Sequence, residues 1–362
     1  MPRLNLANRP APLRWLALIA LSVTFAGGLE WLGLPAGQLL GPMLAAILFA
    51  TRGLPLTTRP ALFNASQSLI GCLIASSFGP DLLPRFAAQW PIFVFVSVAT
   101  LFVAYGAGFL LARLKVLPGA VAVWGSAPGL ATAMVIMARD YGEDYRLVAF
   151  MTYLRVLMVA AGASALAMVF ATGEGGAHPI RPAMDWFAPV DLHGLATTLS
   201  VAAIGALGGR LVRLPAPNIL GPMVVGCVLQ ASGLVSNFAF PQLLMASAYV
   251  IVGWGIGMRF TRETVERARR ALPAVVASIA AMMTACFLLA LLLTRIADVS
   301  LATAYLATSP GGMDSIAIIA ANSPVDMGFV MTMQTMRMFA ILLLGPTIAR
   351  TVARRIAPPE GL

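Results

Sequence analysis

Two arginines, Arg155 and Arg337, stand about eight to ten residues inside long apolar segments. A charge at that depth in a bilayer costs several kcal/mol unless it is paired or hydrated, which makes both functional candidates. A planar guanidinium could hold a carboxylate or phosphate through two parallel hydrogen bonds. The competing reading is a structural ion pair with Asp144, Asp326 or Asp314. Asp314 follows Ser309-Pro310-Gly311-Gly312-Met313 directly, while its counterpart earlier in the chain is the neutral Thr132. One acid in an unwound segment suits sodium or proton coupling, or equally a partner for Arg337. Gln334, one turn before Arg337, is a further polar candidate.

Two interruptions frame these residues: Gly125-Ser126-Ala127-Pro128-Gly129 and Thr308-Ser309-Pro310-Gly311-Gly312. Proline removes a backbone donor and glycine weakens a helix interior, so both apolar segments are expected to break at mid-membrane. Unpaired backbone groups there are tolerated only when buried in protein or lining a cavity, and half-helix ends can bind an anion or a coupling cation. Ser126, Pro128, Gly129, Ser309, Pro310, Gly311, Gly312, Arg155, Arg337 and Gln334 therefore form the candidate substrate site, with Asp314 for ion coupling. A plain proline kink is the alternative. The methionines and the run Gly253-Trp254-Gly255-Ile256-Gly257 read as helix packing.

The elements that carry these residues are apolar helices. Hydrophobic residues make up 59% of the 362, against 24 Lys+Arg and 14 Asp+Glu, and mean hydropathy is +0.87. So few charges could not cover a water-soluble surface of this size. Long apolar stretches recur from Leu16 to Thr347, and the ten-residue alternation of membrane barrels is missing. The net charge of +10 is distributed between apolar segments rather than along a basic stripe with aromatics, which argues against nucleic-acid binding. Cys72, Cys227 and Cys286 lie inside apolar segments as packing residues. His178 and His193, flanking one polar stretch, cannot build a multi-histidine metal centre, and no nucleophile–base pair stands out, so neither an enzyme nor a cofactor is expected.

The chain reads as a duplication. Leu34-Pro35-Ala36-Gly37-Gln38-Leu39-Leu40-Gly41-Pro42-Met43 matches Leu214-Pro215-Ala216-Pro217-Asn218-Ile219-Leu220-Gly221-Pro222-Met223 at seven of ten positions, 180 residues apart. A two-residue insertion then shifts the offset to 182. In that register Gly71 pairs with Gly253, Pro128-Gly129 with Pro310-Gly311, Asp144 with Asp326, and Arg155 with Arg337. Such symmetry marks many secondary transporters. Arg3, Arg9 and Arg14 before the first apolar run resemble a signal peptide, but that run has a counterpart in the second half and is read as a mature helix.

Each half holds six apolar segments: 15–33, 37–51, 62–79, 90–112, 117–138 and 147–171, then 193–213, 217–233, 241–258, 271–294, 300–320 and 327–349. The second of each set is short for a span of about 20 residues. Basic loops interchange between the halves, the signature of inverted repeats. If the broken fifth segment is re-entrant, the Arg259–Arg270 cluster and both termini fall in the cytoplasm and the acidic linker outside. Arg295, beside Asp298 on the outer side, is the exception.

At these residues the chain resembles the bacterial AbrB-type membrane protein family, through the paired Gly-Pro-Met motifs, the two Pro-Gly breaks and the arginine pair, over nearly its whole length. The resemblance implies a duplicated AbrB membrane domain. Members are labelled transcriptional regulator or ammonia monooxygenase, with no established substrate. A monooxygenase needs a copper or iron site, and a DNA-reading regulator needs a soluble module; the sequence offers neither. The duplicated architecture is also similar to sodium/anion and cation/proton antiporter-like transporters, whose re-entrant glycine-rich loops carry binding sites.

The expectation is an all-α polytopic membrane protein of two inverted repeats, each with about five transmembrane helices and a broken or re-entrant Pro-Gly segment. Residues 1–171 form the first repeat, 172–192 an extracytoplasmic linker and 193–362 the second repeat. The protein is expected in the bacterial inner membrane as a secondary transporter of a small, anionic organic solute coupled to sodium or protons. Its partners are the bilayer and the solute, with a homodimer left open. The alternative is a non-transporting regulatory or scaffold protein that affects gene expression indirectly.

Overall fold

The computed structural model describes residues 10–32, 37–54, 56–76, 82–114, 117, 121–127, 134, 138, 142–173, 190–214, 216–235 and 237–356. The side chains of 82–89, 167–173, 267, 314, 342, 343, 345, 346, 349, 350 and 352–356 lie outside that description. Pro128, Gly129, Thr132 and most of the linker are likewise outside it. Among the described residues the chain is all helix, with no strand.

In chain order the helices are α1 (Ala11–Trp31), α2 (Gly37–Thr51), α3 (Pro60–Ser76), α4 (Leu82–Arg113), α5 (Val121–Ser126), α6 (Tyr145–Gly173) and α7 (Leu192–Leu211). They continue as α8 (Pro217–Ala231), α9 (Gln242–Gly257), α10 (Arg262–Ala268), α11 (Leu272–Ala297), α12 (Leu301–Thr308), α13 (Met313–Ala321) and α14 (Met327–Ile356). Among the described residues five stretches are long and apolar enough to cross a membrane: Ala11–Trp31, Trp90–Arg113, Tyr145–Leu166, Leu192–Leu211 and Leu272–Ala297. Helices α2 and α8, of 15 residues each, reach only about 22 Å, short of a hydrocarbon core of about 30 Å.

The chain divides into two compact units that cut across the sequence halves. One takes Met1–Pro84 and Ala167–Arg262, the other Arg85–Leu166 and Glu263–Leu362. In the first unit, α2 packs on α1 and α9, and α8 packs on α7 and α3. The contacts are reciprocal. A side chain on Gly71 would start 2.4 Å from the Ile219 carbonyl oxygen, and one on Gly253 would start 2.7 Å from that of Leu39. Gly71 and Gly253 are repeat mates, as are Leu39 and Ile219. Backbone meets backbone at both places, so only glycine fits. Leu18, Ala45, Phe49, Leu54 and Leu56 form a core between α1 and α2, with Trp15 and Trp254 against it.

The second unit holds the long helices α4, α6, α11 and α14 and the short helices α5, α12 and α13. Its core joins residues of α4, α5, α6 and α11, including Tyr105, Trp124, Met151 and Val275, so both sequence halves contribute. The second interruption is visible directly: α12 ends at Thr308, residues 309–312 are non-helical, and α13 begins at Met313. In the first half α5 ends at Ser126, two residues before Pro128. A Ser300 side chain caps α12 by accepting from the Thr303 N–H at 3.2 Å. Thr303 Oγ1 in turn accepts from the Asp326 N–H at 3.1 Å, which sets the start of α14 beside the start of α12.

Candidate functional site

A helix that stops inside a protein leaves its last carbonyls without intrahelical donors. Helices α5 and α12 stop in this way among buried residues, and an arginine from a neighbouring long helix meets each end. Arg155, from α6, donates through Nη1 to the carbonyls of Gly125 at 3.3 Å, Ser126 at 2.9 Å and Ala127 at 2.7 Å. Arg337, from α14, donates through Nη1 to Thr308 at 3.4 Å and Ser309 at 2.6 Å, and through Nη2 to Gly311 at 3.4 Å. A cation at a helix C-terminus also complements the dipole, by about 0.3–1 kcal/mol when exposed and about 2 kcal/mol when partly buried.

Gln334 completes the second cap. Its Nε2 donates to the Leu306 carbonyl at 2.8 Å and to that of Ser309 at 3.3 Å, while its Oε1 accepts from Arg337 Nη2. In the first half the equivalent position is Thr152, whose hydroxyl turns back to the Val148 carbonyl at 2.7 Å. The two caps are thus alike in their arginines and different in their support.

Each guanidinium keeps donors in reserve. Arg155 is 1% exposed and Arg337 3%, yet Nε and Nη2 of Arg155 and Nε of Arg337 have no partner among the described residues. Val159, one turn after Arg155, packs 3.1 Å from where a side chain on Gly311 would start, so α6 carries the first arginine past the second break.

The carboxylates weighed as ion-pair partners cap helix starts. Asp144 Oδ1 accepts from the N–H groups of Arg146 at 3.0 Å and Leu147 at 3.3 Å, and Asp326 Oδ1 from that of Phe329 at 2.9 Å. Asp144 lies eleven residues before Arg155, about 16 Å along the helix. Asp326 stands in the same relation to Arg337. The side chain of Asp314 lies outside the described residues; its backbone sits in the first turn of α13.

The hydroxyls of the breaks turn inward. Ser126 Oγ donates to the Val123 carbonyl at 3.2 Å, and Ser309 Oγ to that of Leu306 at 3.0 Å. Pro310, Gly311 and Gly312 are buried, and Gly312 precedes α13 without a side-chain cap, leaving that N-terminus facing the break. Pro128 and Gly129 are outside the described residues. Thr308 was not singled out from sequence, although it stands in the quoted break. Its hydroxyl lies 3.0 Å from the carbonyls of both Ala304 and Cys286, tying α12 to α11.

Apolar helices of spanning length, with buried charges gathered on two helix breaks, define an all-α chain of membrane-protein character. The family described as Transition state regulatory protein AbrB matches residues 38–353, and the chain belongs to that family. It is 44% identical over 341 residues to AbrB of Escherichia coli (strain K12), a protein carrying a provisional regulator name, covering 94% of this chain and 97% of that one. It is also 24% identical over 360 residues to the uncharacterized protein YhjN of Bacillus subtilis (strain 168), covering 91% of each. No solved structure matches the chain.

Proposed function

We propose that the protein is a multi-pass inner-membrane secondary transporter that binds a small organic anion between its two helix breaks and couples its movement to sodium or protons. The observation that carries this reading is the buried arginine pair, with N–H groups that have no partner among the described residues after both helix ends are capped. A buried donor without a partner costs about 1–3 kcal/mol, and more when charged. With Val159 packed against Gly311, the two arginines bring like charges to neighbouring breaks, which adds repulsion. A carboxylate seated between them answers both costs, and the uncapped N-terminus of α13 adds a third attraction for negative charge. Asp314, in the first turn of that helix, is the residue for the coupling ion.

The inverted, re-entrant arrangement has support of its own. Helices α12 and α13 laid end to end would separate Thr303 from Asp326 by about 25 Å or more at 1.5 Å per residue. The 3.1 Å hydrogen bond between those residues favours a hairpin that returns to the side it entered. At the other end, Arg146 at the start of α6 pairs with Glu263 of α10 at 2.7 Å, beside the start of α11. Helix α14 starts near the end of α11. Repeat mates that begin near opposite ends of α11 in this way support the inverted reading.

The regulator name of the Escherichia coli relative favours a second reading, a membrane protein that moves no solute and influences expression indirectly. Counterflow in proteoliposomes separates the two. The transporter reading expects exchange of a labelled small carboxylate that Arg155→Lys and Arg337→Lys each suppress. Absence of exchange for carboxylates, phosphate and sulfate alike would leave the second reading.

A further inference from the structure

Away from the arginine pair, the first unit contains a groove of about 510 Å³ between α1, α2 and α9. Its walls are apolar, with Val23, Ala26, Pro42, Ala246, Val250 and Trp254 prominent. The α1 side carries Leu16, Ile19 and Val23, which are exposed, so the groove opens toward the surface a bilayer would wet. The polar groups in it are nearly all satisfied. Trp254 Nε1 donates to Ser22 Oγ at 2.9 Å, Ser247 Oγ donates to the Leu244 carbonyl at 2.7 Å, and Gln38 has a partner. Glu30 is the exception: its Oε1 is buried and accepts no hydrogen bond among the described residues.

Glu30 sits one residue before the end of α1, next to Trp31, which is 88% exposed. Exposed tryptophans at helix ends mark the headgroup level of a bilayer. From Glu30 the groove runs along α1 as far as Ile19, eleven residues or about 16 Å, close to half of a 30 Å hydrocarbon core. The repeat mates of Glu30 and Gln38 are Arg210 and Asn218, which bond each other at 2.9 Å. In the second half that pair is closed internally, whereas Glu30, which lines an apolar channel one leaflet deep, has a buried Oε1 with no hydrogen-bond partner among the described residues.

We propose that this groove is a lipid site: it holds one acyl chain of a phospholipid whose primary ammonium headgroup donates to Glu30. The chemistry selects that headgroup. An unpartnered carboxylate oxygen needs an N–H donor, preferably cationic, and a quaternary ammonium has none to give. The occupant must also bring a chain about one leaflet long. This site is independent of anion binding at the arginine pair.

Delipidated full-length protein, given phosphatidylethanolamine or phosphatidylcholine of identical chains, tests the assignment by native mass spectrometry and thermal midpoint. The expected result is about tenfold preferential retention of phosphatidylethanolamine, the ratio one charge-assisted hydrogen bond supplies. Glu30→Gln should bring that ratio close to one while phosphatidylcholine retention stays unchanged. Ala246→Trp, which fills the groove, should reduce retention of both. Equal retention of the two lipids by the wild type, or a preference surviving Glu30→Gln, would overturn the proposal. So would displacement of the phospholipid by an equal concentration of a simple long-chain alkylamine, since any cationic amphiphile would then suffice.

Discussion

Arg155 and Arg337 place a guanidinium nitrogen 2.7 Å and 2.6 Å from the carbonyls of Ala127 and Ser309, and both pairs of residues are 182 positions apart. One interaction therefore occurs twice, once in each half: a long helix lends an arginine to the open end of a short one. A helix end buried in a membrane needs such a donor, because water cannot supply it. The arrangement fixes where the breaks sit and leaves each guanidinium with an N–H group that has no partner among the described residues.

The cap on α12 depends on Gln334 as well as Arg337. Gln334→Ala removes donors to Leu306 and Ser309 and the acceptor for Arg337 Nη2. A loss of about 1–3 kcal/mol is expected, the range for stranding a buried polar group. A lowered thermal midpoint of the purified protein checks it. An unchanged midpoint would mean that the α12 end is held by Arg337 alone.

Glycines at helix crossings should differ sharply from glycines in open positions. A side chain on Gly71 would start 2.4 Å from a backbone carbonyl, whereas one on Gly28 would meet nothing within 4 Å among the described residues. Gly71→Ala should cost about 1–3 kcal/mol through overpacking. Gly28→Ala should be neutral or stabilising by about 0.5–1 kcal/mol, as expected inside a helix. Comparing the two midpoints in one detergent is the measurement.

Asp314→Asn should remove the sodium or proton dependence of transport or binding while leaving the protein folded. The basis is its position in the first turn of α13, directly after the Pro-Gly-Gly break. Ion dependence measured at several sodium concentrations and pH values decides it. A mutant with wild-type dependence would return Asp314 to a structural role.

The orientation makes a separate prediction. A cysteine replacing Gly175 in the linker should react with an impermeant reagent from outside intact cells, and one replacing Arg354 should react only from the cytoplasm. Labelling of position 175 solely from the cytoplasmic side would contradict the inverted arrangement.

Much of this architecture was legible in the sequence. The repeated Gly-Pro-Met motifs carried the internal equivalence, and the 182-residue register singled out Arg155, Arg337 and both breaks. The partners of the arginines were not legible. Sequence alone points to Asp144, Asp326 and Asp314 because carboxylates are visible as residue types, whereas a carbonyl at a helix end belongs to every residue. The mixing of the halves was hidden for a related reason. Gly71 against Ile219 and Gly253 against Leu39 are contacts made in space, and chain continuity does not reveal which helices share a core. Glu30 is inconspicuous in the sequence because an acid near a helix end reads as ordinary surface until its neighbours prove apolar.

The claim that the arginine pair binds an anion is tested most directly by ligand-dependent stability. A ligand that binds only the native state raises its stability by about 2.7 kcal/mol at one hundred times its Kd. The purified wild type should therefore show a raised thermal midpoint with at least one small carboxylate, or with phosphate or sulfate. Arg155→Lys with Arg337→Lys should abolish that rise, because lysine keeps the charge but loses the planar set of donors. A panel that stabilises the wild type and the double variant equally, or neither, would contradict the account and leave the arginines as helix caps.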